Sequence, residues 1–124
     1  MWTIERSDDY ERRHRWYEKK RPRELLAVLS NLDTYFETLA AGVKPLQIKA
    51  GFIHPEPLGV VAIDQKGGGR NLAETRLYVY ADIDRQVLHV ITLGDKNSQR
   101  DDLAACRRFV TNLRKGAPPE HGQG

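Results

Sequence analysis

From Arg76 to Val110 the chain reads RLYVYADIDRQVLHVITLGDKNSQRDDLAACRRFV, and no other stretch restricts the fold as much. Two apolar runs, Arg76–Ala81 and Gln86–Leu93, flank the polar turn Asp82-Ile83-Asp84-Arg85, which is the pattern of a β-hairpin. A charged knot from Gly94 to Arg100 follows the second strand. Leu103, Cys106, Phe109, Val110 and Leu113 then recur at helical spacing. Ser98, with Asp101 three residues later, resembles a capping box that would start this helix. The helix needs the hairpin as its packing partner, so a sheet covered by helix is already implied.

The preceding residues supply the remaining layers. Trp2–Arg6 alternates apolar and polar and predicts a short strand. Ser7-Asp8-Asp9 offers a cap followed by acids, so a helix is expected over about Asp8–Lys20. That helix is highly charged and has a thin apolar stripe, which places it on the surface. Pro22 suits the first turn of a second helix, and Leu25, Leu26, Val28, Leu29, Leu32, Tyr35, Phe36 and Leu39 form its core stripe up to Gly42. Leu46, Ile48 and Ala50 alternate with Gln47 and Lys49 and suggest a short extended piece, after which Pro55 and Pro57 limit regular structure. Leu58–Gln65 predicts a strand, and Lys66–Thr75 a flexible glycine-rich connection. The expected fold is α+β: a short N-terminal strand, two helices, a three-stranded mainly antiparallel sheet and a C-terminal helix. Residues 1–116 are expected to form a single domain, and 117–124 a disordered tail, because Gly116, Pro118 and Pro119 end the last helix.

Composition narrows the function classes. With 124 residues, one domain is the natural size, and 40% hydrophobic residues argue against disorder. The single cysteine, Cys106, permits no internal disulfide and sits at an apolar helix position, so a reducing compartment and a buried filler role are expected. No apolar run approaches the roughly 20 residues needed to span a bilayer, and the first residues carry no signal-peptide core. A cytoplasmic location without a membrane partner is the default. A formal charge of +3 permits a polyanionic partner without demanding one.

Several constellations bear on chemistry. The run Lys66-Gly67-Gly68-Gly69-Arg70 lacks both standard nucleotide-loop patterns, and reads as a mobile loop carrying two cations. Arg12, Arg13, His14, Arg15, Lys19, Lys20, Arg21 and Arg23, partly offset by Glu11 and Glu18, make a basic cluster whose usual meaning is a solvated helix face, with a nucleic-acid contact as the alternative. Alternation along Arg76–Ala81 puts Leu77 and Val79 on one face, and Arg76, Tyr78 and Tyr80 on the other. An uncovered second face would stack RNA bases beside a cation; a covered one would bury the tyrosines in a small core. His54 lies in a loop and His89 in a strand among apolar neighbours, where a structural role is the commoner outcome. No histidine or cysteine spacing suggests a metal site, and no cofactor motif is present. Within the knot, Lys96 and Arg100 are not explained by turn chemistry and are expected to face the sheet near Arg76.

This pattern resembles the RelE/ParE superfamily of bacterial type II toxins over about residues 1–113. WTIERSDDYERRHRWYEKKRP is similar to the opening strand and helix start of that family, RLYVYADIDRQVLHVITLGDK to its arginine-led strand and hairpin, and NSQRDDLAACRRFV to the C-terminal helix of HigB-like members. The resemblance implies a metal-independent endoribonuclease that cuts messenger RNA on the ribosome and is neutralised by a cognate antitoxin. Carried over by position, Arg76 and Lys96 would stabilise phosphate charge, with Lys66 and Arg70 as weaker matches and Arg100 nearby. No residue matches the family's C-terminal tyrosine, so His54, His89 and Asp95 stand as substitutes for proton transfer. The alternatives are a ParE-like, non-nucleolytic toxin that binds a protein such as DNA gyrase, and a catalytically silent binding domain.

Overall fold

A computed structural model describes residues 1–66 and 71–116. The elements run β1 (Thr3–Arg6), α1 (Asp8–Lys20), α2 (Pro22–Ala40), β2 (Ile53–Pro55), β3 (Val60–Asp64), β4 (Arg76–Asp82), β5 (Val87–Gly94) and α3 (Gln99–Arg114). Short 3₁₀ turns at Pro45–Gln47 and Pro57–Gly59 precede β2 and β3. The fold is α+β, with a five-stranded mixed sheet in the order β1-β5-β4-β3-β2. β1 lies parallel to β5, and the other neighbours are antiparallel.

Local chemistry sets the helix ends. Ser7 accepts from the Tyr10 amide at 3.0 Å and donates to the Ile91 carbonyl at 2.5 Å, so one hydroxyl caps α1 and ties it to β5. Arg21, at φ −143°, breaks the helical path, and Pro22 starts α2 with φ already set. Gly42, at φ +104°, ends the chain's run through α2 in the left-handed region that glycine enters without steric cost.

The sheet is covered on both faces. Tyr10 and Tyr17 of α1 and Leu25, Val28, Leu32, Tyr35 and Leu39 of α2 pack on Val61, Ile63, Leu77, Val79, Leu88, Val90 and Leu93. On the opposite face Cys106 and Val110 of α3 close a second core with Val60, Ala62, Tyr78 and Ile91.

Several expectations change. The sheet has five strands rather than three, because β1 and β2 add to its two edges, and His54 lies in β2 rather than in a loop. The extended piece at 46–50 is not a strand; Pro45 opens a 3₁₀ turn there, and the added edge strand forms at Ile53–Pro55 instead. β3 starts at Val60 because Pro57–Gly59 turns the chain, with Leu58 at φ +64°. Leu26 belongs to no core and is 69% exposed, since the stripe of α2 is narrower than its leucine content suggests. The second face of β4 is not an open stacking surface, because α3 lies across it and leaves Tyr78 0% exposed.

Burial raises the Tyr78 phenol well above its ordinary pKa, with Asp102 adding to the rise and Arg76 opposing it. Its hydroxyl has no hydrogen-bond partner among the described residues. Tyr78→Phe is therefore expected to be neutral or to stabilise by up to about 1 kcal/mol, because it removes an unsatisfied buried donor and keeps the ring. A urea midpoint that falls instead would assign that hydroxyl a partner.

Candidate functional site

The residues singled out in the sequence gather at three places. The first is the end of the sheet where β3 stops and β4 begins. His54 stands opposite Ala62, and Asp64 opposite Arg76, so strand alternation puts His54, Asp64 and Arg76 on the face that carries α3. His54 Nε2 lies 2.7 Å from Asp64 Oδ2, with the imidazole side chain 35% exposed. The other carboxylate oxygen of Asp64 accepts from the Lys66 amide at 2.8 Å. Asn31 of α2 donates to the Asp64 and Lys66 carbonyls, which holds the strand end in place. In the tautomer with the proton on Nε2, His54 donates to the Asp64 carboxylate and Nδ1 is the free ring nitrogen. Lys66 is exposed beside this pair, whereas Arg70 lies outside the described residues.

Arg76 is near His54 and Asp64 but is already engaged. Its Nε is 3.3 Å from Glu74 and its Nη1 4.0 Å from Glu56, and its side chain is largely buried. Two carboxylates beside one guanidinium leave little net positive charge for a phosphate. Tyr78, next on the same face, lies beneath α3 and cannot stack a base.

The second place is the turn from β5 into α3. The capping box expected of Ser98 and Asp101 does not form. Asp95 closes the turn instead, accepting from the amides of Asn97 at 2.9 Å and Ser98 at 3.1 Å. Ser98 Oγ accepts from the Asp95 amide at 3.0 Å and donates to Asp102 Oδ2 at 2.7 Å. Asp102 is buried, and Arg13 of α1 approaches it at 3.4 Å while donating to the Leu93 carbonyl at 2.8 Å. Burial raises the pKa of Asp102, opposed by the Ser98 hydroxyl and by Arg13. Thr92 donates to Asp9 at 2.5 Å, so α1, β5 and α3 meet through buried polar groups. Asp95 is thus a turn residue, and its carboxylate is occupied by backbone amides. Lys96 and Arg100 are exposed and form no ion pair among the described residues.

The third place is farther along the same face. His89 is buried, stacks with Tyr80 at 6.5 Å between ring centroids and meets the Phe109 ring edge-on at 5.3 Å. Glu5 lies 4.0 Å from its Nδ1. The Arg114 guanidinium sits 5.9 Å above the Tyr80 ring. Tyr80 is partly exposed, but its ring is shared by Arg114 and His89, so both tyrosines serve chiefly to pack α3. Cys106 is buried, and burial pushes its thiol up to about 12, which leaves it inert at neutral pH.

Of the proton-transfer candidates His54, His89 and Asp95, all described, His54 combines a close acid partner with access to solvent. Asp64 was missed in the sequence, although it ends an otherwise apolar strand two residues from Ala62, a spacing that puts both on one face. Asp102 and Arg13 were missed as well; only the fold brings them together. No protein-family model matches this chain, and searches of curated proteins and of solved structures return no match.

Proposed function

We propose that this chain is a RelE/HigB-like toxin, an endoribonuclease that cleaves messenger RNA on the ribosome and is held inactive by a cognate antitoxin. The observation that carries this reading is the His54–Asp64 pair, 2.7 Å apart, with the imidazole partly exposed and the carboxylate buried beside Lys66. The order of strand, two helices, antiparallel strands and C-terminal helix supports it, because the resemblance of the sequence runs through the same order.

The chemistry needs few groups. Nδ1 of His54 takes the proton of a ribose 2′-hydroxyl, whose oxygen attacks the adjacent phosphorus. The 2′-O–P bond forms, the P–O5′ bond breaks, and the proton returns from the imidazolium to the leaving 5′-oxygen. The products are a 2′,3′-cyclic phosphate and a 5′-hydroxyl. Lys66 supplies charge for the crowded phosphate, and Lys96 and Arg100, beyond the end of β5 and separated from β3 by β4, add positive potential at the same end of the sheet. Arg76 acts as a positioning residue: through Glu56 and Glu74 it holds the strand ends that carry His54 and Asp64.

Induced expression followed by primer extension on translated messages tests the reading. Codon-positioned cuts and arrested growth are expected, and Arg76→Ala and Lys96→Ala are each expected to restore growth while the protein stays folded. Intact messages alongside DNA-damage signalling would replace this reading with that of a gyrase-binding toxin.

A further inference from the structure

The helical hairpin on the other face carries a surface that the proposed chemistry does not use. Trp16 of α1 is 48% exposed. Its indole meets the Tyr17 ring edge-on at 5.0 Å between centroids, and Tyr17 is itself buried in the core. The exposed ring is therefore braced from below rather than free to fold down. Residues three and four positions away share its side of the helix, and Arg12, Lys19 and Lys20 are among them.

The cations around Trp16 are neutralised only in part: Arg12 pairs with Asp9 and Arg13 with Asp102. Among the described residues Arg15, Lys19, Lys20 and Arg23 form no ion pair within 4.0 Å. Of the nearby acids, Asp9 pairs with Arg12 and accepts from Thr92, Glu11 pairs with Arg6, Glu18 lies 3.8 Å from His14, and Glu24 accepts from the Ala73 amide, so Lys19 and Lys20 keep their charge beside the indole. A solvated helix face requires the cations but not the indole, since exposing half of a tryptophan forgoes burial that a polar residue would not need. Positive charge with a braced aromatic ring is instead what an unpaired nucleic-acid strand binds, phosphates on the cations and a base on the ring.

We infer that the Trp16 face of α1, with Lys19 and Lys20, binds single-stranded RNA independently of the candidate catalytic groups. An anionic membrane is the other polyanion with a use for exposed tryptophan, but it needs a continuous apolar helix face. The exposed apolar groups here are only Trp16 and Leu26, on two helices separated by the break at Arg21. The face is too discontinuous to insert, and RNA is the better fit.

The chain has two tryptophans, so Trp2→Phe makes Trp16 the sole indole reporter. The full chain is titrated with a 2′-O-methyl oligoribonucleotide of about 12 residues, which lacks the nucleophile and so reports binding whether or not the protein cleaves RNA. Saturable quenching of Trp16 fluorescence is expected. By anisotropy with the same oligonucleotide, Trp16→Ala weakens binding roughly tenfold and Trp16→Phe retains most of it. Lys19→Gln with Lys20→Gln lowers the slope of log K against log salt by about 0.7 for each phosphate no longer neutralised. These positions are exposed, and circular dichroism checks that each variant is folded. Three results would overturn the inference: no quenching, RNA binding that Trp16→Ala leaves unchanged, or a fluorescence change seen only with phosphatidylserine vesicles.

Discussion

Gly94→Ala is expected to destabilise the protein by about 3 kcal/mol, a large effect for the addition of one methyl group. The reason is not backbone freedom. A Cβ at Gly94 collides with the carboxylate of Asp102 and the hydroxyl of Ser98. Those two groups are hydrogen-bonded to each other at 2.7 Å, and Asp102 is buried beside Arg13. Making room for the methyl group means pushing an acid off its donor where water is excluded, which is far more damaging than a crowded methyl contact. Urea denaturation measures the loss directly. In an Asp102→Ala background the same glycine change should be milder, because the buried carboxylate it displaces is gone and only the Ser98 hydroxyl, freed from its acceptor, has to move; a double-mutant cycle reads that coupling. A loss below about 1 kcal/mol in the otherwise native protein would mean that the start of α3 shifts freely and that this junction is not a fixed point of the fold.

His54→Ala is the substitution expected to reduce RNA cleavage most, by roughly 10²- to 10⁴-fold, the range over which a positioned base contributes. Its side chain is partly exposed, so stability should change little. Asp64→Asn should lower cleavage less than His54→Ala: it keeps the side chain's shape but removes the charge and one of the two acceptors, so either the Lys66 amide or His54 Nε2 faces an amide donor instead. It should also alter the pH dependence of the rate, which a purely structural role of Asp64 would leave unmoved. The measurement is single-turnover cleavage of an end-labelled message on purified ribosomes, with folding monitored in parallel. Undiminished cleavage by His54→Ala would place the base elsewhere. Exchanging His89 is not an equivalent test, since that ring is packed between Tyr80 and Phe109 and its loss perturbs the seat of α3.

The two predictions depend on different kinds of information. The α+β class, the span Asp8–Lys20 for α1, the start of α2 at Pro22 and the β4–β5 hairpin were all legible, because each follows from neighbours within a few residues: a cap, a proline, a turn, an apolar period. Burial of Cys106 was legible for the same reason. Alternation along β4 also separated Leu77 and Val79 from Tyr78 and Tyr80 correctly. It did not say which face would be covered, since that depends on where a helix more than twenty residues later comes to rest. Covering by α3 turned Tyr78 from a base-stacking candidate into core. Register decided the site in the same way. Asp64 meets His54 because β2 and β3 pair with His54 opposite Ala62; a shift by one residue would turn His54 to the other face. The charged knot after β5 held the right residues, but its reading changed most. Asp95 and Ser98 are consumed by backbone amides and by Asp102, an acid whose partner Arg13 lies 89 positions earlier. Local order is encoded in spacing and so was present in the sequence; pairing between distant charges is created by the fold, and only the tertiary structure decided it.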